Sequence, residues 1–351
     1  MRKQAYDLLR EGTVIPAIPL VLRAERTIDE VGQRRLIRYY LAAGSGGLAV
    51  GVHTTQFQIR DAAVGLFEPV LQIAADEISR YEDRTGRTVI RIAGACGPED
   101  QAVSEAEIAA RHGFDAVLLS PGGLQSVSED AMIERTRSVA QVIPVIGFYL
   151  QPAVGGRIFS FSYWQQLCAL EGVVAIKAAP FDRYLTLDVL RAAAMSERAD
   201  QIALYTGNDD HIVLDLLCEH TFEENGRKRN ARFVGGLLGQ WAVWTSSAVS
   251  LFNQLKNERD SQTLPSRWLT LASQLTDCNS AIFDTANHFR GCITGIHEIL
   301  RRQGLIQGIW TLDEHETLSH GQAEALDRIH AQYPHLHDDA FVARFLEDDK
   351  P

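Results

Sequence analysis

Short apolar runs alternate along the chain with longer segments in which apolar residues recur every three to four positions. The short runs are rich in β-branched residues and have the length of buried strands, whereas the longer segments have the periodicity of amphipathic helices. Eight strands are predicted in this way, at 14–21, 47–52, 88–94, 115–120, 144–150, 172–178, 202–207 and 232–238. Helical segments separate them, at 27–44, 67–86, 99–113, 128–142, 162–170, 187–195 and 212–220.

This alternation predicts the fold class. Strands that are joined through helices run parallel, and eight such units close naturally into a (β/α)8 barrel. We therefore predict an α/β protein with a TIM barrel over residues 1–250, which is the catalytic domain. Residues 251–351 are predicted to form a C-terminal helical extension packed on the barrel, with one helical pattern running from 279 to 304.

An open doubly wound sheet is the alternative fold. Its dinucleotide-binding turn would be a glycine-rich segment after a strand and before a helix. The segment GSGGLA at 44–49 instead follows a helix and enters a strand, so it does not indicate a nucleotide cofactor.

Charge and composition exclude several partners. The net charge of −11 argues against nucleic acid, because no basic stretch can neutralise phosphates, and the basic run GRKRNAR at 226–232 is predicted to be a solvated loop. Five scattered cysteines without a C-x-x-C pair indicate a reducing compartment and no structural zinc. No apolar run approaches the roughly 18 residues that span a bilayer, and the N-terminus lacks a signal-peptide pattern. We expect a cytoplasmic protein with no membrane partner.

One strand carries an unexpected charge. Lys177 lies near the end of GVVAIKAAP, at 172–180, where a strand buried on both faces has no comfortable place for an ammonium group. At the mouth of a barrel, desolvation lowers the pKa of an amine, and the neutral amine can form a Schiff base with a carbonyl. The alternative is a lysine whose stem packs in the barrel and whose head meets a carboxylate such as Asp209.

Other polar residues are predicted at neighbouring strand ends. Tyr149 precedes Lys177 by 28 residues, about one βα unit, and we expect it at the same level, where a phenol can shuttle protons. Thr54 and Thr55 follow the second strand and can bind a carboxylate through hydroxyl and backbone N–H groups. A lysine for a carbonyl and threonines for a carboxylate together predict a 2-oxo acid as substrate.

With these motifs the chain resembles the dihydrodipicolinate synthase / N-acetylneuraminate lyase superfamily of class I, Schiff-base aldolases, over roughly residues 10–310. The matching motifs are GTVIPAIPLVL, HTTQF, YLQP, AIKAA and TGNDD, in that order. The resemblance implies that Lys177 forms the Schiff base, Tyr149 is the general acid/base, Thr54 belongs to the proton relay and Thr55 binds the carboxylate. It also implies that the backbone approaches the site at Gly207, and it suggests a homo-oligomer, a dimer or tetramer.

Two departures from the family separate the chain from dihydrodipicolinate synthesis itself. Gly122 and Gly123 stand where a tyrosine would cross to a neighbouring subunit, and Val154 stands where an arginine would bind a second carboxylate. The distal end of the substrate is therefore expected to be uncharged or hydroxylated. Whether Arg157 replaces the missing arginine is left open by the sequence.

The predicted function is a lyase that forms a Schiff base with a pyruvate-type 2-oxo acid, without a cofactor or metal. His53 and Gln151 are predicted to contact the substrate. A 2-keto-3-deoxy sugar acid dehydratase is one alternative, and a catalytically weakened barrel that binds a 2-oxo or sugar acid is another. The histidines at 330, 335 and 337 have conceivable metal-ligand spacing but lie far from any strand end.

Overall fold

In the computed structural model, which describes residues 1–349, eight parallel strands form one sheet in the order β2–β3–β4–β5–β6–β7–β10–β1. The strands are β1 Val14–Pro16, β2 Gly47–Val50, β3 Ile90–Ala95, β4 Ala116–Leu119, β5 Val145–Leu150, β6 Val173–Ala179, β7 Ala203–Thr206, β8 His220–Glu224, β9 Arg227–Ala231 and β10 Gly235–Leu238. A parallel bridge between Ala17 and Ala49 joins β1 to β2. The predicted TIM barrel is confirmed, with each sheet strand inside or within a residue of its predicted segment.

Helices cover the outside of the barrel and form the C-terminal part of the chain. They are α1 Lys3–Glu11, α2 Glu30–Ala42, α3 Phe67–Thr85, α4 Glu99–Arg111, α5 Glu129–Ala140, α6 Phe161–Ala169, α7 Arg183–Met195, α8 Ile212–Leu217, α9 Thr245–Glu258, α10 Arg267–Ile282, α11 Cys292–Arg302, α12 Gln322–Gln332 and α13 Asp339–Asp348. The boundary predicted between residues 250 and 251 falls inside α9, and the division into barrel and extension stays a prediction. None of these helices combines the length and apolarity that a bilayer crossing requires.

The barrel interior is filled with small and branched side chains, and its N-terminal end is closed. Ala5 and Leu9 of α1 pack into the interior cluster, and the Tyr205 hydroxyl donates a hydrogen bond to the Leu9 carbonyl oxygen (2.9 Å). A ligand therefore enters from the opposite end, where the strands have their carboxyl termini.

The basic run at 226–232 is not the predicted loop. It forms β9, which pairs antiparallel with β8, so the helix predicted over 212–220 ends at Leu217. Asn225 and Gly226 form the turn, with φ of 51° and 74°. The Asn-Gly pair is the sequence signal for such a hairpin, and both residues tolerate the left-handed conformation that it needs.

The helical pattern predicted over 279–304 is also interrupted, between the end of α10 and the start of α11. Asp284, His288 and Phe289 have φ of 55°, 56° and 64°, outside the helical region. The Asp284 carboxylate accepts hydrogen bonds from the Gly291 N–H (3.0 Å) and the Asn287 side-chain amide (2.7 Å), which hold the break. This break carries two phenylalanine side chains over the mouth of the barrel.

Candidate active site

A pocket that is partly open to solvent lies at the C-terminal mouth of the barrel. Strand ends and their loops supply one part of its lining, namely Ala17, Val52, His53, Thr54, Leu118, Phe148, Leu150, Gln151, Val154, Lys177, Ala179, Phe181, Gly207, Asp209 and Gly239. The end of α10, the break and α11 supply the part that we call the roof, namely Phe283, Phe289, Cys292 and Ile296. The C-terminal helices thus complete the pocket.

Lys177 extends from β6 into this pocket. Its ammonium nitrogen lies 4.4 Å from the centroid of the Phe148 ring and has no hydrogen-bond partner within the described residues. Burial lowers the pKa of this amine, and the negative charge of Asp209 opposes the shift only in part. The neutral, nucleophilic form of the amine is therefore more populated in this pocket than it would be in water.

Gly207 leaves room for the lysine stem. A Cβ atom at this position would lie 2.4 Å from Lys177 Cε and 2.7 Å from Ala179 Cβ, both closer than carbon atoms approach one another. The Gly207 N–H donates a hydrogen bond to the Ala178 carbonyl oxygen (2.7 Å), which fixes the two strand ends together. Only glycine fits here with Lys177 in place.

Asp209 is the acidic side chain of the pocket and is buried. One carboxylate oxygen, Oδ1, accepts a hydrogen bond from the Gln240 N–H (3.0 Å), while Oδ2 has no partner within the described residues. Burial raises the pKa of this carboxyl group, against the opposing effects of that hydrogen bond and of Lys177. The sequence marked Asp209 only as a possible partner for the lysine; the structure places the two side chains in one pocket.

The TGNDD segment is held by buried hydrogen bonds. The Asp215 carboxylate accepts from the Thr206 hydroxyl (2.6 Å) and from the Asn208 side-chain amide (3.0 Å). The Asn208 amide oxygen in turn accepts from the Phe181 N–H (3.1 Å). This network orders the loop that presents Asp209 and the loop that presents Phe181.

Tyr149 is not brought to the pocket, which corrects the prediction of a tyrosine beside the lysine. The register of β5 shifts between Val145 and Ile146, so Phe148 lies opposite Lys177. Tyr149 points to the outside of the barrel, is fully buried, and packs against Trp164 with ring centroids 4.9 Å apart. Its hydroxyl oxygen accepts a long hydrogen bond from the Phe159 N–H (3.4 Å).

The two threonines of HTTQF have different surroundings. Thr54 lines the pocket, and its hydroxyl makes only a 3.4 Å contact to the Ile18 carbonyl oxygen. The Thr55 hydroxyl donates to that same carbonyl (2.7 Å) and accepts from the N–H groups of Gly51 (3.0 Å) and Val52 (3.2 Å). All hydrogen-bonding positions of the Thr55 hydroxyl are therefore used within the turn. This corrects the prediction that Thr55 binds the substrate carboxylate.

His53 and Gln151 line the pocket as neutral polar groups. Burial lowers the pKa of His53 to about 4, with a further contribution from the charge of Lys177, so the imidazole is neutral at physiological pH. The Gln151 side-chain amide has no hydrogen-bond partner within residues 1–349 and is available to a ligand.

Arg157 does not replace the missing arginine. Its guanidinium donates to the carbonyl oxygens of Leu124 and Val127 and lies over the Phe159 ring, 5.1 Å from the centroid. Gly122 and Gly123 belong to the loop after β4, and neither lines the pocket.

The histidine-rich tail forms a separate cluster among the C-terminal helices. His330 and His337 both contact the Asp339 carboxylate (2.7 and 3.2 Å), and their rings stack with centroids 4.3 Å apart. Both histidine nitrogens meet the same oxygen, Oδ2, and the three ligand atoms lie within 4.8 Å of one another, a spacing that could hold a metal ion. His335 instead bonds to the Gln274 side chain (2.9 Å).

Solved structures share this fold. The chain superimposes on a dihydrodipicolinate synthase from Oceanobacillus iheyensis with a TM-score of 0.73, at 17% identity, over 94% of this chain and 99% of the other. It superimposes on an N-acetylneuraminate lyase from Fusobacterium nucleatum complexed with pyruvate with a TM-score of 0.69, at 18% identity, over 93% and 98% of the two chains.

Sequence comparison gives a more specific result. An N-acetylneuraminate lyase from Citrobacter koseri is 28% identical over 207 residues, which is 58% of this chain and 65% of that protein. The chain thus matches less than two thirds of the length of this curated relative. Residues 11–218 match the model of the dihydrodipicolinate synthetase family. Because this match covers more than half of the 351 residues, the chain belongs to the dihydrodipicolinate synthetase family.

Proposed function

We propose that this protein is a lyase that forms a Schiff base between Lys177 and a pyruvate-type 2-oxo acid, and that it makes or cleaves a carbon–carbon bond. The observation that carries the proposal is the environment of the Lys177 amine. Its amine lies in an apolar pocket at the C-terminal mouth of a TIM barrel, without a hydrogen-bond partner in the described chain and with a lowered pKa. Such an amine is suited to attack a carbonyl carbon.

Asp209 takes the proton-transfer role that the sequence assigned to Tyr149. Its raised pKa keeps part of the carboxyl population protonated near neutral pH, so the group can donate a proton as well as accept one. The protonated form delivers a proton to the carbinolamine hydroxyl, which leaves as water. The carboxylate then removes a proton from C3 of the bound 2-oxo acid to give the enamine.

The carboxylate of the substrate is held by neutral donors. Thr54, Gln151 and the imidazole of His53 line the pocket and are free to donate hydrogen bonds. Donors of this kind bind an anion without adding a second positive charge beside Lys177. A second positive charge there would repel the iminium and so lower its stability.

The test is exchange of the pyruvate methyl protons in D2O, followed by NMR. Enamine formation exchanges these protons whether or not the second substrate is known, so the wild-type protein is expected to accelerate exchange. A Lys177→Gln variant, in which the amine is absent, is expected to show only the uncatalysed rate. Equal rates in the two proteins would overturn the proposal.

One observation favours a second candidate, a barrel that binds a 2-oxo acid without turning it over. Tyr149, the general acid/base implied by the family resemblance, faces away from the pocket. Pyruvate binding without methyl exchange would favour this candidate. A dehydratase is distinguished by loss of water from a 3-deoxy-2-oxo sugar acid without carbon–carbon cleavage.

The setting of the enzyme is part of the proposal. The cysteines at 96, 168, 218, 278 and 292 are all free thiols, which supports a reducing, cytoplasmic location. A homo-oligomer, dimer or tetramer, is expected from the family. Light scattering of the purified protein measures its mass, and a monomer would contradict this expectation.

A further inference from the structure

The roof together with Phe148 and Phe181 forms what we call the apolar half of the pocket, since none of these side chains is charged. Most of its side chains are aromatic, with Phe148 on β5, Phe181 in the loop after β6, and Phe283 and Phe289 on the roof. The remaining roof residues are Cys292 and Ile296, and burial raises the pKa of the Cys292 thiol, so it stays protonated and uncharged.

Two of these phenylalanines sit in backbone conformations that bulky residues rarely adopt. Phe181 has φ of 53° and Phe289 has φ of 64°. Each is held by a hydrogen bond to its N–H, from which the Asn208 amide oxygen (3.1 Å) and the Asp284 carbonyl oxygen (3.0 Å) accept. Strain of this kind persists where the surrounding structure imposes it, and it is concentrated at ligand sites.

The strained backbone brings the two rings together across the pocket. The ring centroids of Phe181 and Phe289 lie 6.0 Å apart at an interplanar angle of 67°, the edge-to-face arrangement that aromatic rings prefer. One ring comes from the barrel and the other from the roof. The contact therefore closes the apolar half of the pocket with aromatic surface.

Polar and anionic groups find few partners in this half. No arginine lines the pocket of the described chain, and the roof offers no hydroxyl, amide or charged side chain. A polyol chain or a distal carboxylate would lose its hydration there without replacement hydrogen bonds, which is costly. An aromatic group loses little on leaving water and gains contact with phenylalanine rings.

We propose that the second substrate is an aromatic aldehyde, and that the product of condensation is a 4-hydroxy-2-oxo acid with an aromatic group on C4. This inference rests on the proposed Schiff-base function and specifies its substrate class. C3 of the pyruvate enamine forms a bond to the aldehyde carbon, and the aldehyde oxygen takes a proton from Asp209. Water then adds to the iminium carbon and releases the 2-oxo acid from Lys177, so pyruvate and aldehyde combine without an oxidant or reductant.

The test compares aldehydes at saturating pyruvate. Benzaldehyde is expected to give a kcat/KM at least about tenfold higher than glyceraldehyde or aspartate semialdehyde. Phe289→Ser is expected to lower the benzaldehyde value about tenfold or more, because the pocket loses apolar contact, whereas Phe289→Leu retains most of it. Leu269→Ser, which changes an exposed side chain on α10, is the matched control and is expected to leave all values unchanged.

Methyl-proton exchange of pyruvate separates the two proposals. Exchange catalysed by the wild-type protein, with glyceraldehyde or aspartate semialdehyde preferred over benzaldehyde, would overturn the aromatic assignment and leave the Schiff base standing. Absence of exchange would overturn the Schiff base itself. Leu269→Ser, which lies outside the pocket, is expected to keep wild-type exchange.

Discussion

Two ionisable side chains, Lys177 and Asp209, are both buried and line the same pocket. Burial acts on them in opposite directions: it lowers the pKa of the amine and raises the pKa of the carboxyl group. Both shifts move charged groups toward neutrality and leave them able to exchange protons near pH 7. At the scale of single residues, this pair accounts for the chemistry that we propose.

Asp209→Asn tests the proton-transfer role. The variant is expected to slow pyruvate methyl exchange by about 10²–10⁴-fold, the usual contribution of a general acid/base. Tyr149→Phe is the control, and its exchange rate is expected to remain within about twofold of the wild type, because the hydroxyl lies outside the pocket. A large loss in Tyr149→Phe with a small one in Asp209→Asn would reverse the two assignments.

The pH dependence of Lys177 follows from its burial. The pKa is lowered to about 8 from 10.5, so imine formation is expected to rise with pH and to reach half of its maximum near pH 8. In Asp209→Asn the negative charge that raises the lysine pKa is removed, and the midpoint is expected to move to lower pH. The measurement is the initial rate of imine trapping from pH 6 to 10; a midpoint near 10 would contradict the burial argument.

At the scale of elements, strand register decides which side chains face the pocket. Because β5 is buried on both faces, its apolar pattern does not reveal which residues point inward. The shift between Val145 and Ile146 turns Phe148 inward and Tyr149 outward. Lys177 was predictable because a lysine is out of place in such a strand, whereas the orientation of β5 depends on its pairing with β6.

The turn after β2 is a further element on which the pocket depends. Thr55→Val is expected to reduce the free energy of unfolding by about 1–3 kcal/mol, because it leaves buried N–H and C=O groups without a partner. Thr54→Val is the matched control, expected to unfold like the wild type while weakening pyruvate binding. Denaturant unfolding of both variants gives the comparison, and equal stability of the two would contradict the structural role of Thr55.

At the scale of the whole molecule, the barrel and the C-terminal helices form one site. The barrel fold followed from the alternation of strands and helices, because that alternation is a local property of the sequence. The roof could not be predicted from the sequence. The break between α10 and α11 is held by hydrogen bonds of Asp284, and the helical periodicity does not reveal them. The sequence therefore did not indicate that Phe283 and Phe289 line a pocket.

Trapping of the imine tests the central claim most directly. The protein is incubated with pyruvate, reduced with borohydride, and mapped by peptide mass spectrometry. We predict a reduced pyruvate adduct on Lys177, with the half-buried, ion-paired Lys256 as an unmodified internal control in the same sample. An unmodified Lys177, or an adduct spread equally over other lysines, would contradict the account.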